Sequence, residues 1–260
     1  MAHRVLAIAA HPDDIEFLMA GTLILLKQVG WEVHYLNVAN GSCGTSDRPA
    51  KEIVRIRRDE ARSAAASIGA VFHESLVDDI DVFYDKPLLA KVAAIVREVT
   101  PGVVLTHSPT DYMEDHQNAA RLAASAAFVR GMRNFPTDPP RGPVAGDVTV
   151  YHAQPHGNRD PLGRRVRPGL FVDVRGVLGQ KRDMLACHES QKAWLDETQG
   201  LNSYLNTMEA LAREVGEMSG RFEYAEGWRR RNPLGLCAAE ADPLSDALGE
   251  RVVRDRQGAG

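Results

Sequence analysis

The stretch Val5-Leu6-Ala7-Ile8-Ala9-Ala10-His11-Pro12-Asp13-Asp14 decides how this chain of 260 residues is read. Its apolar run fits a strand buried on both faces, as strands of a parallel sheet are. The run ends abruptly on a turn whose backbone Pro12 restricts and whose other members are ionisable. Residues 15–29 follow, with Leu18, Leu25, Leu26 and Val29 on one side, and are expected to form a helix. Strand, charged turn and helix in that order make the opening of a βα unit.

Working outward, the same alternation continues. Strands are expected at 32–39, 71–76 and 102–106, and helices at 50–68, 87–99 and 117–129, with Gly69 stopping the second helix. Residues 40–49, rich in Gly, Ser, Asp and Asn, read as a loop. The pattern predicts an α/β fold with a doubly wound, mostly parallel sheet and helices on both faces. After a Pro/Gly-rich connection at 134–146, strands at 148–151 and 170–174 and helices at 177–187 and 203–215 complete one domain over residues 1–230, with a core of about 1–133 and a completing segment of about 147–230. Residues 231–260 read as a smaller C-terminal extension in which the pattern decays, frayed from Asp255 onward.

Composition narrows the function classes. A formal charge of -4 argues against bulk electrostatic binding of nucleic acid. Cys43, Cys187 and Cys237 are far apart and form no CxxC pair, which argues against a disulfide framework and a thiolate zinc site and makes a reduced, cytoplasmic setting the simplest reading. No run reaches the length of a membrane span. Cys43 has no positioned base by sequence and reads as inert, Trp194, Tyr204 and Trp228 as packing or interface residues, and Arg229-Arg230-Arg231 as a solvated surface or, alternatively, a contact for an anionic substrate group or a neighbouring subunit.

In doubly wound sheets, ligands sit beyond the carboxyl ends of the strands. Two loops there carry clustered ionisable residues, 10–14 and 107–116. A catalytic zinc takes three protein ligands from imidazole and carboxylate and keeps one position for water. His11 and Asp14, three residues apart on a tight turn, can converge on one ion, leaving Asp13 free to take a proton from metal-bound water. His116 can supply a third ligand from the second loop. Asp111 and Asp115 can orient the imidazole or a substrate hydroxyl. As a helix cap alone, the turn would need no metal; a second acidic, histidine-bearing loop after another strand favours the metal site.

These residues resemble the LmbE-like, or PIG-L, family of N-acetylglucosaminyl-type deacetylases. Its marks here are Ala10-His11-Pro12-Asp13-Asp14 with Gly21-Thr22, the helix from Arg57 to Gly69, Asp115-His116, and His188-Glu189-Ser190-Gln191. The resemblance covers about the first 190 residues. It implies a Rossmann-like sheet and a hydrolase dependent on Zn2+, or another divalent metal, that deacetylates an N-acyl amino sugar or a small conjugate containing one. It implies His11, Asp14 and His116 as metal ligands, Asp13 as general base, Arg57 near the substrate, and a homo-oligomer, trimer or hexamer. Several family members carry a histidine where this chain has Met113, which neither donates a proton nor stabilises an oxyanion. Either Asp13 makes both proton transfers, or one of Tyr112, His107, His152, His156 and His188 replaces that histidine; a bound metal could also polarise the carbonyl unaided. Tyr112, His152, His156 and His188 are also candidate substrate neighbours. Two other readings stay open: an amidase for a larger thiol- or peptide-like conjugate, and a zinc-retaining binding module without turnover.

Overall fold

The computed structural model describes residues 3–192, 194 and 203–255. Strand β1 (Arg4–Ala9) lies between β2 (Glu32–Asn37) and β4 (Val103–Thr106), parallel to both. Strand β3 (Val71–His73) extends the sheet beyond β2, and β5 (Thr149–Ala153) extends it beyond β4, again in parallel. The apolar run of β1 divides by parity, as the two-residue period of a strand requires. Val5, Ala7 and Ala9 face one core with Leu23, Leu26, Ala61 and Ala65. Leu6, Ile8 and Ala10 face another with Val92, Val96, Ala119 and Ala123. One core is covered by α2 (Ala20–Gln28) and α3 (Ala50–Ser67), the other by α4 (Lys86–Val99) and α5 (Glu114–Val129). The sheet is therefore doubly wound, with helices on both faces.

Three antiparallel pairings complete the eight-stranded sheet. Strand β7 (Ala225–Arg230) lies between β5 and β6 (Leu170–Asp173), and β8 (Val252–Arg254) pairs with the outer edge of β6. The sequence reading missed β7, because Arg229 and Arg230 break its apolar pattern. Trp228 is fully buried there, and Arg229 bonds Ser108 Oγ at 2.6 Å rather than standing in solvent. Past residue 232, Leu244 and Leu248 of a short helix join the first core. Residues 256–260, within the expected frayed end, lie outside the described residues.

The single helix expected at 15–29 is two helices, α1 (Asp14–Leu18) and α2, broken at Met19. The break exposes the first amides of α2, and a residue two hundred positions away caps them. Glu226 of β7 accepts from Gly21 N and Thr22 N, both at 2.8 Å, and from Thr22 Oγ1 at 2.6 Å. A carboxylate suits the positive end of a helix. Lys181, in α6 (Leu178–Ala186), balances its charge at 2.6 Å. Gly21 is required by close approach, since a Cβ there would stand 2.5 Å from Val174 Cγ1.

Replacing Glu226 by Gln leaves Lys181 buried without a counter-charge and weakens the cap. Urea unfolding is expected to show a loss of about 3 kcal/mol, partly recovered when Lys181 is also changed to Met. A loss below about 1 kcal/mol would show that the buried pair does not anchor β7 to α2.

Candidate metal centre and active site

The strand order 3-2-1-4-5 reverses direction between β1 and β4, so the loops leaving these neighbouring strands open a crevice between them. Those are the two loops that carry the ionisable clusters. After β1 the chain turns tightly: Asp14 N donates to His11 O at 3.2 Å, and Asp14 Oδ2 accepts from His11 N at 2.7 Å. After β4 the helix begins at Glu114, three residues earlier than expected, and places Asp115 and His116 in its first turn.

The turn and the helix start bring His11, Asp14 and His116 together. One ligand atom from each lies within 4.8 Å of the others. His116 Nε2 stands 3.4 Å from Asp14 Oδ1, and His11 Nδ1 stands 3.4 Å from Asp14 Oδ2. The far nitrogen of each imidazole is held by a carboxylate. His11 Nε2 pairs with Asp115 Oδ2 and His116 Nδ1 with Asp111 Oδ1, both at 3.0 Å. Metal-binding histidines are oriented in this way, so the donor set fits a divalent cation. Asp115 thus orients the histidine of the other loop rather than its own neighbour. Asp111 also accepts from His156 N at 3.1 Å, tying the β5 exit to the same cluster. A second grouping, His107, Asp111 and His116, is wholly buried, and only His116 of it borders the cavity.

The electrostatics suit a cation. Burial lowers the His11 pKa, but Asp115 and Asp14 outweigh it and hold the imidazole at about 10. Burial would raise Asp14, yet His116, His107 and His11 hold it well below the ordinary carboxylate range. Burial pushes the Asp13 carboxyl up, with Arg57 opposing and Asp14 adding to the shift.

Asp13 sits beside the cluster with φ 110°, a left-handed backbone unusual for a residue with a side chain. Tyr204, in α7 (Ser203–Ser219), donates to its Oδ2 at 2.8 Å, and Arg57 Nη2 approaches its Oδ1 at 3.5 Å. Arg57 is buried and also donates to Pro12 O at 2.5 Å and Gly41 O at 3.5 Å. Gly41, with φ +81°, lets the loop close over it, because a Cβ there would stand 2.6 Å from Arg57 Cδ. The sequence reading took Tyr204 for a packing residue, and nothing local in the sequence links it to Asp13, 191 positions away. Asp79 was also missed: its two oxygens accept from Gly41 N at 2.7 Å and Cys43 N at 2.9 Å, fixing that loop.

A cavity of about 340 Å³ opens over the cluster. His11, Asp13, Asp14 and His116 line it, and a chain of rings, Tyr204, Phe17, His156 and Tyr112, runs along it with centroids 5.0–5.8 Å apart. Met113, Cys43, Asp79 and Ile80 also reach it. Of the five candidates to replace the absent histidine, Tyr112 and His156 border the cavity. His107 is enclosed behind His116, its ring stacked on that imidazole at 4.2 Å. His152 bonds the His107 carbonyl at 2.8 Å. His188 is fully buried, 3.3 Å from Glu16. Burial, then His116, lowers the His156 pKa and keeps its ring neutral.

Residues 6–127 match the PIG-L family model, GlcNAc-PI de-N-acetylase. Diacetylchitobiose deacetylase of Thermococcus kodakarensis is 30% identical over 232 residues, covering 87% of this chain and 82% of that protein. The chain belongs to the PIG-L family. A second relative, 4-oxalmesaconate hydratase of Pseudomonas putida, is 28% identical over 232 residues, covering 85% of this chain and 86% of that protein. The solved structure of N,N'-diacetylchitobiose deacetylase from Pyrococcus horikoshii superposes with a TM-score of 0.75 at 24% identity, over 94% of this chain and 89% of that one, and so shares the fold. No helix among the described residues is long and apolar enough to cross a membrane.

The buried imidazole of His152, held on the His107 carbonyl, offers a pH test. Burial lowers its pKa from 6.5 to about 4. Between those values the unfolded chain binds a proton that the folded chain refuses. The stability contributed is complete above pH 6.5 and is lost as the pH falls to about 4, up to ~3 kcal/mol. Urea midpoints should therefore fall more between pH 7 and pH 4.5 in the parent than in His152→Asn. Equal falls would contradict the buried neutral imidazole.

Proposed function

We propose that this protein is a metal-dependent N-deacetylase acting on an N-acetylated amino sugar or a small conjugate of one. The observation that carries the reading is the convergence of His11, Asp14 and His116 under a cavity that also receives the half-buried carboxylate of Asp13. The relative named as a diacetylchitobiose deacetylase supports the reaction and the sugar. His11, Asp14 and His116 would hold the ion, with Zn2+ the best match for two imidazoles and one carboxylate. Such an ion, when bound, lowers the pKa of water and polarises a carbonyl.

The chain's own residues do the rest. Asp13, its proton affinity raised by burial, takes a proton from the attacking water and returns it to the leaving amine nitrogen. Water oxygen bonds to the acyl carbon, the carbon–nitrogen bond breaks, and acetate and a free amine result. Tyr204 and Arg57 hold the two oxygens of Asp13, so that neither transfer waits on a side-chain rotation. His156, neutral and bordering the cavity, is the candidate donor to the developing oxyanion in place of Met113. Tyr112, Phe17 and Tyr204 offer ring faces on which a pyranose can pack.

The hydratase relative raises another chemistry, water addition to an oxo-acid. The cavity weighs against it. Among the described lining residues Arg57 is the only lysine or arginine, and it is already engaged by Asp13 and Pro12. Beyond the proposed cation, a substrate with several carboxylates would find no free basic side chain among the described lining residues to offset Asp13 and Asp79.

Release of free amine from N-acetylglucosamine and N,N'-diacetylchitobiose by the zinc-loaded protein tests the reading. Asp13→Asn is expected to lower kcat by about 10²–10⁴ with zinc content unchanged, and His156→Ala by about 10². Turnover of these amides that is insensitive to Asp13→Asn would contradict the base assignment. No amine release by the parent protein would favour the conjugate amidase or the binding module.

A further inference from the structure

Ile80 holds a φ of 69°. The left-handed region is unfavourable for any residue with a Cβ, and most of all for a β-branched one. The surrounding loop imposes it. Ile80 N donates to Asp115 Oδ2 at 2.8 Å, the same oxygen that stands 3.0 Å from His11 Nε2. Its neighbour Asp79 is tied to Gly41 and Cys43. The backbone of residue 80 is thus fixed two hydrogen bonds from the imidazole ring of His11.

Among the described residues, no hydrophobic core cluster includes Ile80 to repay this strain. The Ile80 side chain is 59% exposed and borders the cavity. Tyr112, 61% exposed, borders the same cavity, its ring edge-on to His116 at 5.6 Å. Glycine or asparagine would take this backbone more easily, and a polar residue would suit solvent better. Core packing and backbone preference both leave an isoleucine here unexplained; contact with a ligand's apolar surface explains it.

We propose that Ile80 is a specificity-determining residue. Its side chain, pinned at the cavity mouth by the Asp115 carboxylate, packs against a second ring, sugar or aryl, carried by the amino sugar beyond the acetamido-bearing one. This rests on the deacetylase reading, which puts the scissile amide at the His11–Asp14–His116 floor and the distal part of the substrate at the mouth. The C–H face of a pyranose or the face of an aryl group matches an aliphatic side chain, which only Ile80 and Met113 offer among the described lining residues.

The experiment compares kcat/KM of the zinc-loaded protein for N-acetylglucosamine and for its β-phenyl glycoside. Ile80→Asn keeps the amide that bonds Asp115 and accepts the left-handed backbone, so its urea midpoint should match or exceed that of the parent. The ratio of phenyl glycoside to free sugar should fall about fivefold in Ile80→Asn and stay within about twofold in Ile80→Val, which restores an apolar branched side chain. An unchanged ratio in Ile80→Asn, with a higher midpoint or without one, overturns the proposal. If the parent releases amine from neither substrate, the deacetylase reading itself fails, an outcome visible before any variant is measured.

Discussion

The architecture turns on the pairing of β1 with β4. Because these strands are neighbours although a hundred residues of chain separate them, the turn at 11–14 and the helix start at 114–116 face one another across a gap a few ångströms wide. Two imidazoles and a carboxylate are brought within reach of one cation there. Each imidazole would be mobile on its own. Asp115 and Asp111 remove that freedom by bonding the nitrogen that points away from the cluster. These carboxylates also connect the site outward, Asp115 to the Ile80 amide and Asp111 to the His156 amide. The geometry of the floor and the shape of the mouth are therefore not independent.

Among the described residues, several buried charges are answered by close partners. Glu226 meets Lys181 and two helix amides. Asp13 meets Arg57 and Tyr204, and Glu16 meets Tyr35 at 2.8 Å and His188 at 3.3 Å. An unanswered buried charge costs several kcal/mol, and such pairs lock distant segments together. The last strand laid between β5 and β6 in this way reaches back to the first helices, and α7 reaches back to the first turn. The functional end of the sheet is built by contacts spanning almost the whole chain.

That span explains what could be read in the amino-acid sequence. The β1 run, the alternation through α5 and the two ionisable loops are local patterns, and they appear in the expected order, with the first helix broken and α5 starting inside the second loop. The cluster of His11, Asp14 and His116 was legible because both loops follow strands of a parallel sheet. The break at Met19 was not, since it depends on a cap supplied by Glu226. Strand β7 was hidden because Arg229 and Arg230 look solvated until Ser108 and the carbonyls of Ala239 and Ala241 receive them. Tyr204 reads as one more aromatic of an amphipathic helix until its hydroxyl is found on Asp13. The sequence also could not rank the candidates for the missing histidine; exposure to the cavity sets His156 and Tyr112 apart from His107, His152 and His188.

Two remote loops sharing one divalent cation can be checked by metal content after dialysis against zinc, measured by mass spectrometry for the parent, Asp14→Ala and His116→Ala proteins. About one zinc per chain is expected in the parent, with near-complete loss in both variants while each remains folded. Zinc retained in full by either variant, or none bound by the parent, would contradict it.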